Sequence, residues 1–307
     1  MMTGRDAQEI IQCGRRISSE EVEQIRETVV MFPGLSLKEL VATICEHLGW
    51  YTAAGNLKRE ACLKLLRKFE AGGVVKLPQK QKNKVRMIQR YTRQIAVSPR
   101  TDPRLKITGT VKKLGRVWLE VVREKPGQEL WNEYVFRYHG LSYKRPFGYW
   151  MRYFISCERG KLGCVLFSGA AKALGVRDRW IGWSDGQRLK NLAWVINNSR
   201  YLIFPWVQVK NLASHVLGQV ARRVVDDWEN CWGYRPVLME SFVDPKQYQG
   251  ICYKAAGWKY LGMTTGEGLV RPGKSYSTTP KKLFVKPLTD QFREILCSEN
   301  LKGWVEE

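Results

Sequence analysis

The chain has 307 residues, 44% of them hydrophobic and 11% aromatic, and this composition excludes a disordered tail. Lysine and arginine number 51 against 29 acidic residues, so the formal net charge of +22 favours a polyanionic partner, with nucleic acid the first candidate. No apolar run reaches the ~18 residues of a membrane span and the N-terminus lacks a signal-peptide core, so a cytoplasmic protein is expected.

The sequence predicts two helices in the first half of the N-terminal region, and both begin with the same capping pattern. Ser18 and Glu21 have the spacing of a capping box before an amphipathic run that ends at Met31. Ser36 and Glu39 repeat that spacing before a second run, whose apolar residues fall on one helical face. Two consecutive capped helices are therefore expected.

A third helix is expected over residues 56–70, followed by two glycines and a short strand at residues 74–78. Three helices and then a strand are the order of a winged helix, which we predict for residues 1–78 as a DNA-binding domain. In that motif the last helix enters the major groove. Its candidate nucleic-acid contacts are Lys58, Arg59 and Lys64. A three-helix protein-interaction module is the alternative.

A basic linker is predicted over residues 79–106, which contain nine basic residues and one acidic residue. Such a segment can neutralise phosphates without reading sequence, which makes binding strongly dependent on salt. The candidate contacts are Lys80, Lys82, Lys84 and Arg86. A soluble spacer is the alternative.

From residue 107 to the C-terminus, strand and helix patterns alternate and predict an α+β class with a mixed sheet. The hairpin-rich first half, followed by strand, helix, strand, helix, strand and strand, is similar to the layout of GNAT-type N-acyltransferases. Strands are expected near 107–111, 116–122, 150–157, 162–168, 199–209, 236–243, 259–265 and 282–286. Helices are expected near 127–138, 211–228 and 245–256.

The GNAT resemblance implies an acyl-CoA or another nucleotide-like donor, whose pyrophosphate would meet the start of the helix after the fourth strand. The residues there are Asn211, Leu212, Ala213, Ser214 and His215. The glycines usual in that loop are missing, so an ordinary helix cap at Asn211 is the alternative. Tyr253 resembles the tyrosine that protonates a leaving thiolate in those enzymes, with a core residue as its alternative.

Five segments together resemble the DruA family of the Druantia anti-phage defence system: Arg177–Trp183, Asn197–Arg200, Asn211–Ser214, Glu240–Asp244 and Cys252–Ala256. The resemblance implies a DNA context, because related domains also occur beside transposase modules. DNA is the expected partner, single-stranded DNA or RNA remain open, and a helicase or transposase is the protein partner that the context suggests.

Further site candidates come from polar residues at strand ends and turns of this domain. Glu240 and Asp244 are four residues apart on a strand and could act as acid and base or bind a metal, although Asp244 before a proline also suits a cap. His139 is the further candidate base. Nucleic-acid contacts are predicted at Arg152, Arg177, Trp180, Trp183 and Arg188. The eight cysteines form no C-x-x-C pair, which indicates free thiols rather than zinc.

The sequence therefore predicts a DNA-binding protein of a defence system or mobile element, in which the GNAT-like domain acts on or senses nucleic acid. Two alternatives remain open at this point. One is an enzyme that modifies nucleic acid by acyl transfer, and the other is a non-catalytic scaffold for a helicase or transposase.

Overall fold

The structure, a computed structural model, describes residues 10–13, 15–32, 35–78, 95–146, 148–266 and 279–299. They fall into two compact units, one that ends at residue 78 and one that starts at residue 95. Within these ranges no helix combines the length and the apolar character that crossing a membrane requires. All eight cysteines are free.

Unit 1 consists of a short hairpin and three helices. They are β1 (Ile10–Gln12), β2 (Arg15–Ile17), α1 (Ser19–Met31), α2 (Leu37–His47) and α3 (Arg59–Ala71). Both predicted capping boxes are present, at Ser18 with Glu21 and at Ser36 with Glu39. The apolar faces of the helices meet in one core, built around buried residues such as Ile25, Ile44 and Leu65.

The strand predicted after the third helix is not present in the described residues of unit 1. Residues 74–77 form no regular element and pair with no strand there, and the two strands of the unit precede α1. A single antiparallel bridge joins Tyr51 to Leu57 just before α3, so α3 begins at Arg59 rather than at Asn56. Unit 1 is thus a three-helix unit with an N-terminal hairpin as far as the structure describes it.

Unit 2 is built on a mixed sheet of seven strands in the order β10-β11-β9-β7-β6-β5-β4. Only β7 and β9 run parallel within it, and a separate parallel pair joins β3 to β8. The strands are β3 (Ile107–Thr110), β4 (Val117–Val121), β5 (Trp150–Cys157), β6 (Gly160–Gly169), β7 (Val195–Ile203), β8 (Val207–Lys210), β9 (Leu238–Val243), β10 (Lys259–Met263) and β11 (Lys282–Pro287).

The helices of unit 2 are α4 (Val111–Leu114), α5 (Lys125–Tyr138), α6 (Gly175–Ile181), α7 (Asp185–Asn191), α8 (Leu212–Trp232), α9 (Ile251–Ala255) and α10 (Phe292–Leu296). Helices α5 and α8 are the longest of those described. Gln219 and Arg223 of α8 donate to the carbonyls of Val117 and Leu119, at 2.8 Å and 2.6 Å. These bonds satisfy polar groups on the edge strand β4, which would otherwise be free to pair with another chain.

The predicted alternation of unit 2 is confirmed in its order, with local differences. The strand expected over 199–209 is two strands, because Pro205 interrupts it and lacks the amide that a ladder needs. The helix expected over 245–256 is reduced to α9, because a turn anchored on Asp244 and a left-handed Gly250 precede it. The helical insertion α6–α7 between β6 and β7 is not anticipated by the sequence pattern.

The described end of the predicted linker is bound to unit 2 rather than free in solvent. The buried Glu133 of α5 accepts hydrogen bonds from the amide of Ser98 and, at 2.7 Å, from the hydroxyl of Thr101. Burial alone would raise the pKa of Glu133, but these hydrogen bonds outweigh it and keep the pKa below its usual value. Arg137 adds an ion pair to Asp102 at 2.6 Å. Residues 98–104 are therefore held along α5.

Candidate functional site

The parallel strands β7 and β9 pair over only three residues, from Val195 with Leu238 to Asn197 with Glu240. Immediately afterwards, the register between β6 and β7 shifts by one residue between Asn198 and Arg200. Such a bulge leaves one residue unpaired and redirects its neighbours, and bulges concentrate beside functional sites. The sheet therefore changes geometry at Asn198, where several polar side chains converge.

Three polar side chains meet at this point and form a closed hydrogen-bond group. The hydroxyl of Tyr253, from α9, donates to Oδ1 of Asn198 at 2.8 Å. The Ser241 hydroxyl of β9 lies 2.9 Å from the Tyr253 hydroxyl and 3.3 Å from the carbonyl oxygen of Asn198. Burial raises the pKa of Tyr253, so the phenol stays protonated at neutral pH. A protonated phenol is the form that a proton donor requires.

The ring of Tyr253 is packed as firmly as its hydroxyl is bonded. It stacks on Phe284 of β11 with centroids 5.4 Å apart, and Trp258 meets it edge-on at 5.1 Å. Gly250 explains why the chain can approach so closely, because a Cβ there would lie 2.5 Å from the Phe284 ring. Tyr253 is thus both a core residue and the phenol of a polar group, and the two roles considered for it are compatible.

Glu240 is not a free acid or base, because it forms a fully buried ion pair with Arg177 of α6 at 2.8 Å. Its other oxygen accepts from the amide of Ala171 at 2.8 Å. Asp178 completes the network, since it pairs with Arg177 at 2.9 Å and accepts from the indole of Trp183 at 3.0 Å. The predicted catalytic role of Glu240 is replaced by a structural one, because the ion pair ties the α6–α7 insertion to the centre of the sheet.

The predicted pairing of Glu240 with Asp244 on one strand face is not observed. Strand β9 ends at Val243, and Asp244 accepts from the backbone amide of Lys246 at 2.9 Å, as a turn-capping aspartate does. Within the described ranges no group of three or more histidine, cysteine, aspartate or glutamate residues could hold a metal ion. The two carboxylates therefore act separately.

The predicted nucleic-acid contacts around α6 and α7 are engaged within the unit, with two of them buried and two, Trp180 and Arg188, partly exposed. Arg177 has no exposed surface and Trp183 is buried beneath it, so neither can reach a phosphate or base in this structure. Arg188 is bound to the carbonyl of Lys172 at 2.7 Å and to Asp185 at 2.8 Å. Trp180 stacks on Phe292 with centroids 5.0 Å apart. The interleaving of tryptophan and arginine in this segment thus builds a packed insertion.

Arg152 and Arg200 lie in one cross-strand row, because each is paired with Leu166 of the strand between them. Arg152 is buried with its guanidinium carbon 3.9 Å from the Trp150 ring centroid, and it donates to the hydroxyl of Tyr143 at 2.9 Å. Burial lowers the pKa of both arginines. Throughout the described residues no carboxylate forms an ion pair with either of them, so this face of the sheet is cationic beside the bulge.

His139 ends α5 next to this row and is neutral at physiological pH. Its Nδ1 accepts from the amide of Leu141 at 3.1 Å. Burial, assisted by the positive charge of Arg200, lowers its pKa from 6.5 to about 4. A histidine with this pKa is a weaker general base than its residue type suggests at neutral pH.

The lowered pKa of His139 predicts a pH dependence of stability. Between about pH 4 and pH 6.5 the unfolded chain binds more protons at this position than the folded chain, so stability should rise with pH in that window and be lost on acidification. Asparagine at position 139 can accept the same amide hydrogen bond without titrating. Denaturant unfolding across this window should show a flatter slope for His139→Asn than for wild type, and an identical slope would exclude His139 as the responsible group.

The start of α8 has the backbone of a glycine-containing loop although its sequence lacks glycine. Asn211 has a φ of 64°, in the left-handed region that glycine enters freely and asparagine most readily among other residues. Its side chain makes no capping hydrogen bond, so the simple N-cap interpretation is not observed. The first turn, Leu212–His215, contains no acidic residue and begins a helix of 21 residues. The positive end of the helix dipole therefore lies there without a neutralising carboxylate, which suits an anion such as a pyrophosphate.

The candidate residues of that turn are partly used within the chain. The Ser214 hydroxyl donates to the carbonyl of Asn211 at 3.1 Å, and Tyr201 of β7 donates to the carbonyl of Ala213 at 2.7 Å. Leu212 is buried. The ring nitrogen Nε2 of His215 lies 3.1 Å from the Gln219 amide nitrogen, and burial lowers the pKa of His215. The backbone amides, rather than these side chains, are the groups available to an anionic donor such as acyl-CoA.

In unit 1, the exposed side of α3 is basic as predicted. Arg59, Lys64, Arg67 and Lys68 are all exposed, whereas Cys62 and Leu65 on the opposite side are buried. Lys58, in contrast, precedes the helix and is half-buried, and desolvation lowers its pKa. The linker candidates Lys80, Lys82, Lys84 and Arg86 lie outside the described residues.

Ser241 is the member of the polar group that the sequence did not identify as a site residue, whereas Asn198 is among the polar residues at strand ends and turns where a site was expected. The available signal is the run Asn197–Arg200, four polar residues inside an otherwise apolar strand. A polar run in a buried strand needs partners, and here the partners come from β9 and α9.

Comparison with known proteins gives one family and a set of distant structures. Residues 68–278 match the family model described as "Druantia protein DruA". Among curated proteins no relative is detected. Similar solved structures include the aminoglycoside acetyltransferase AAC(6')-Ib in complex with paromomycin and acetyl-CoA (14% identity, 60% of this chain and 98% of that chain, TM-score 0.36). A Bacillus subtilis acetyltransferase in complex with CoA is also similar (8% identity, 57% and 100%, TM-score 0.32). At these TM-scores the likenesses carry no conclusion about activity or ligand.

Proposed function

The chain belongs to the DruA family of Druantia proteins, and we propose that it is a DNA-binding protein of an anti-phage defence system or mobile element. The observation that carries the proposal is the exposed basic side of α3, in a chain whose formal net charge is +22. Four exposed cations on one helix outnumber its two exposed acids, Glu60 and Glu70, and can contact duplex phosphates without reading sequence. Only the family context suggests a helicase or transposase as the protein partner.

The proposal predicts a specific loss of salt dependence. Replacing Arg59, Lys64 and Arg67 together by alanine should reduce the slope of log affinity against log salt by about one unit for each phosphate contact removed. All three side chains are exposed, so the fold of unit 1 should be unaffected. The measurement is a duplex titration by fluorescence anisotropy at several salt concentrations.

A matched control removes the same charge elsewhere. Lys38, Lys112 and Lys113 are exposed and belong to other helices than α3, so their combined replacement by alanine should leave the slope nearly unchanged. If both triple variants lose the same slope, the net charge and not α3 determines binding. If the wild-type chain does not bind duplex DNA at moderate salt, the proposed function itself is wrong.

Acyl transfer to nucleic acid is a second candidate, favoured by the β7 bulge beside the protonated Tyr253. A bound acyl-CoA would supply a thioester, and the amides at the start of α8 would hold its phosphates. Mass spectrometry of DNA incubated with the protein and acetyl-CoA tests this candidate, since an acetyl group adds a defined mass to a nucleotide.

A further inference from the structure

A cavity of about 860 Å³ lies between α5, β4 and the turn that joins β5 to β6, and it has no part in the polar group at Tyr253. Its volume is within the range of sites that enclose a nucleotide-sized ligand. Three of its lining residues are aromatic: Trp118 of β4, Tyr134 of α5, and Trp206 between β7 and β8. Aromatic rings in a recess offer faces on which a flat ligand can stack.

The aromatic side of the cavity is rigid because its rings support one another. Tyr134 stacks on Phe204 with centroids 4.4 Å apart, and Phe204 lies 4.9 Å from Trp206. Trp206 is buried, yet its indole nitrogen has no hydrogen-bond partner within the described part of the chain. A buried donor without a partner carries a desolvation cost, and because this nitrogen has almost no exposed surface, Trp206 contributes its place in the wall rather than a hydrogen bond to a ligand.

The rim of the cavity is cationic. Arg100 and Arg104 come from the segment that is fixed along α5, and Arg159 lies in the exposed β5–β6 turn. Glu120 is the acidic residue of the lining, and Lys161 neutralises it at 3.0 Å. Three arginines therefore remain for an external anion, and a planar guanidinium suits phosphate oxygens.

We infer that this cavity binds an unpaired nucleotide of a single-stranded nucleic acid, with the base against Trp118 and the aromatic wall and the phosphates at Arg100 and Arg104. Stacking with phosphate contacts is the usual physical basis for binding single strands without sequence preference. A duplex presents base edges in its grooves and keeps the base faces covered, so it cannot use an aromatic recess in this way. The inference rests on the proposed function and adds a second, strand-selective site in unit 2.

The stacking part of the inference is tested with the full chain and a labelled oligothymidine of about ten nucleotides. Trp118→Ala should weaken binding about tenfold, because one base loses its aromatic platform. Trp118→Phe should retain most of the affinity. With a strand of the same length that carries abasic sites, the two variants should bind equally, since no base is present to stack. Loss of affinity by Trp118→Ala on both probes would indicate a merely structural role and overturn the inference.

The phosphate part is tested with variants at exposed residues, which leave folding intact. Arg100→Ala combined with Arg104→Ala should weaken single-strand binding about tenfold, whereas the charge-matched pair Lys112→Ala with Lys113→Ala should change it less than twofold. Equal losses for the two pairs would overturn the site. Tighter binding of free thymidine monophosphate than of the strand would also overturn it, because the ligand would then be a mononucleotide.

A duplex arm separates this inference from the proposed function. The cavity variants should bind duplex DNA within twofold of wild type, whereas the α3 triple variant should lose duplex binding. When Trp118→Ala is added to the α3 triple variant, its affinity for the single strand should fall by the same factor as in the wild-type chain. A chain that binds duplexes but no single strand would overturn the cavity assignment and leave the proposed function standing. A chain that binds neither would overturn both.

Discussion

Replacing Glu240 by alanine should lower the free energy of unfolding of unit 2 by about 3 to 5 kcal/mol. The variant leaves Arg177 fully buried with one of its two carboxylate partners gone, and it also removes the acceptor of the Ala171 amide. A buried cation that loses its counter-ion cannot recover hydration without opening the structure. Denaturant unfolding followed by circular dichroism measures the effect, and Glu158→Ala, at an exposed turn, should change stability by less than about 0.5 kcal/mol.

The double replacement Arg177→Met with Glu240→Leu distinguishes an ion pair from ordinary packing. If the cost of losing Glu240 arises from the uncompensated charge, removing both charges should restore part of the stability, and the double variant should be more stable than either Arg177→Met or Glu240→Leu alone. Additive losses would contradict the charge explanation. They would instead indicate that the site is sensitive to shape and volume.

The order of elements in unit 2 could be predicted because it depends on local periodicity. Apolar alternation in β5 and β6 and the apolar face of α8 are visible within a window of ten to twenty residues. The break at Pro205 and the short α9 were missed because each depends on one or two residues inside an otherwise favourable pattern. The strand expected after α3 was predicted from a short apolar run alone, and residues 74–77 form no ladder in the described part of the chain because pairing depends on a partner strand.

The candidate site was predicted only in part, because burial of a charged residue depends on distant partners. Arg177 and Glu240 are 63 residues apart in sequence, and no local pattern indicates that they meet in the core. Arg177, Trp183 and Arg188 therefore looked like an exposed basic and aromatic surface. Tyr253 was identified through its resemblance to a known turn, whereas its partner Asn198 depends on a bulge, and a bulge is a one-residue change in register that periodicity cannot resolve.

The polar group at Tyr253 and the cationic row lie on opposite faces of the sheet of unit 2. Arg152 and Arg200 share one face, because both are paired with Leu166. Tyr253 bonds Asn198, which is paired with the residue that follows Leu166, and successive residues of a strand point to opposite faces. Acyl transfer through the protonated phenol would therefore take place on the face away from the two arginines.

Tyr253→Phe should reduce acyl transfer by about 10²- to 10⁴-fold if the phenol donates a proton, while duplex binding through α3 stays unchanged. The variant keeps the ring that stacks on Phe284 and removes only the hydroxyl. Since Asn198 then loses its donor, a stability cost of about 1 to 3 kcal/mol is expected and must be measured by thermal unfolding alongside activity. The readout is the mass gain of DNA incubated with acetyl-CoA, together with plaque counts in cells that carry the complete defence system.

Tyr153→Phe is the matched control, because it removes a second buried tyrosine hydroxyl of unit 2. The hydroxyl of Tyr153 donates to Asp227 of α8 at 3.0 Å and bonds neither the polar group at the bulge nor the start of α8. Both variants should therefore lose similar stability, and only Tyr253→Phe should lose activity. Equal loss of activity in the two variants would assign the effect to packing of the core. Full activity of Tyr253→Phe would exclude a role of this phenol in acyl transfer. Tyr253 would then be a structural residue that binds α9 to the sheet.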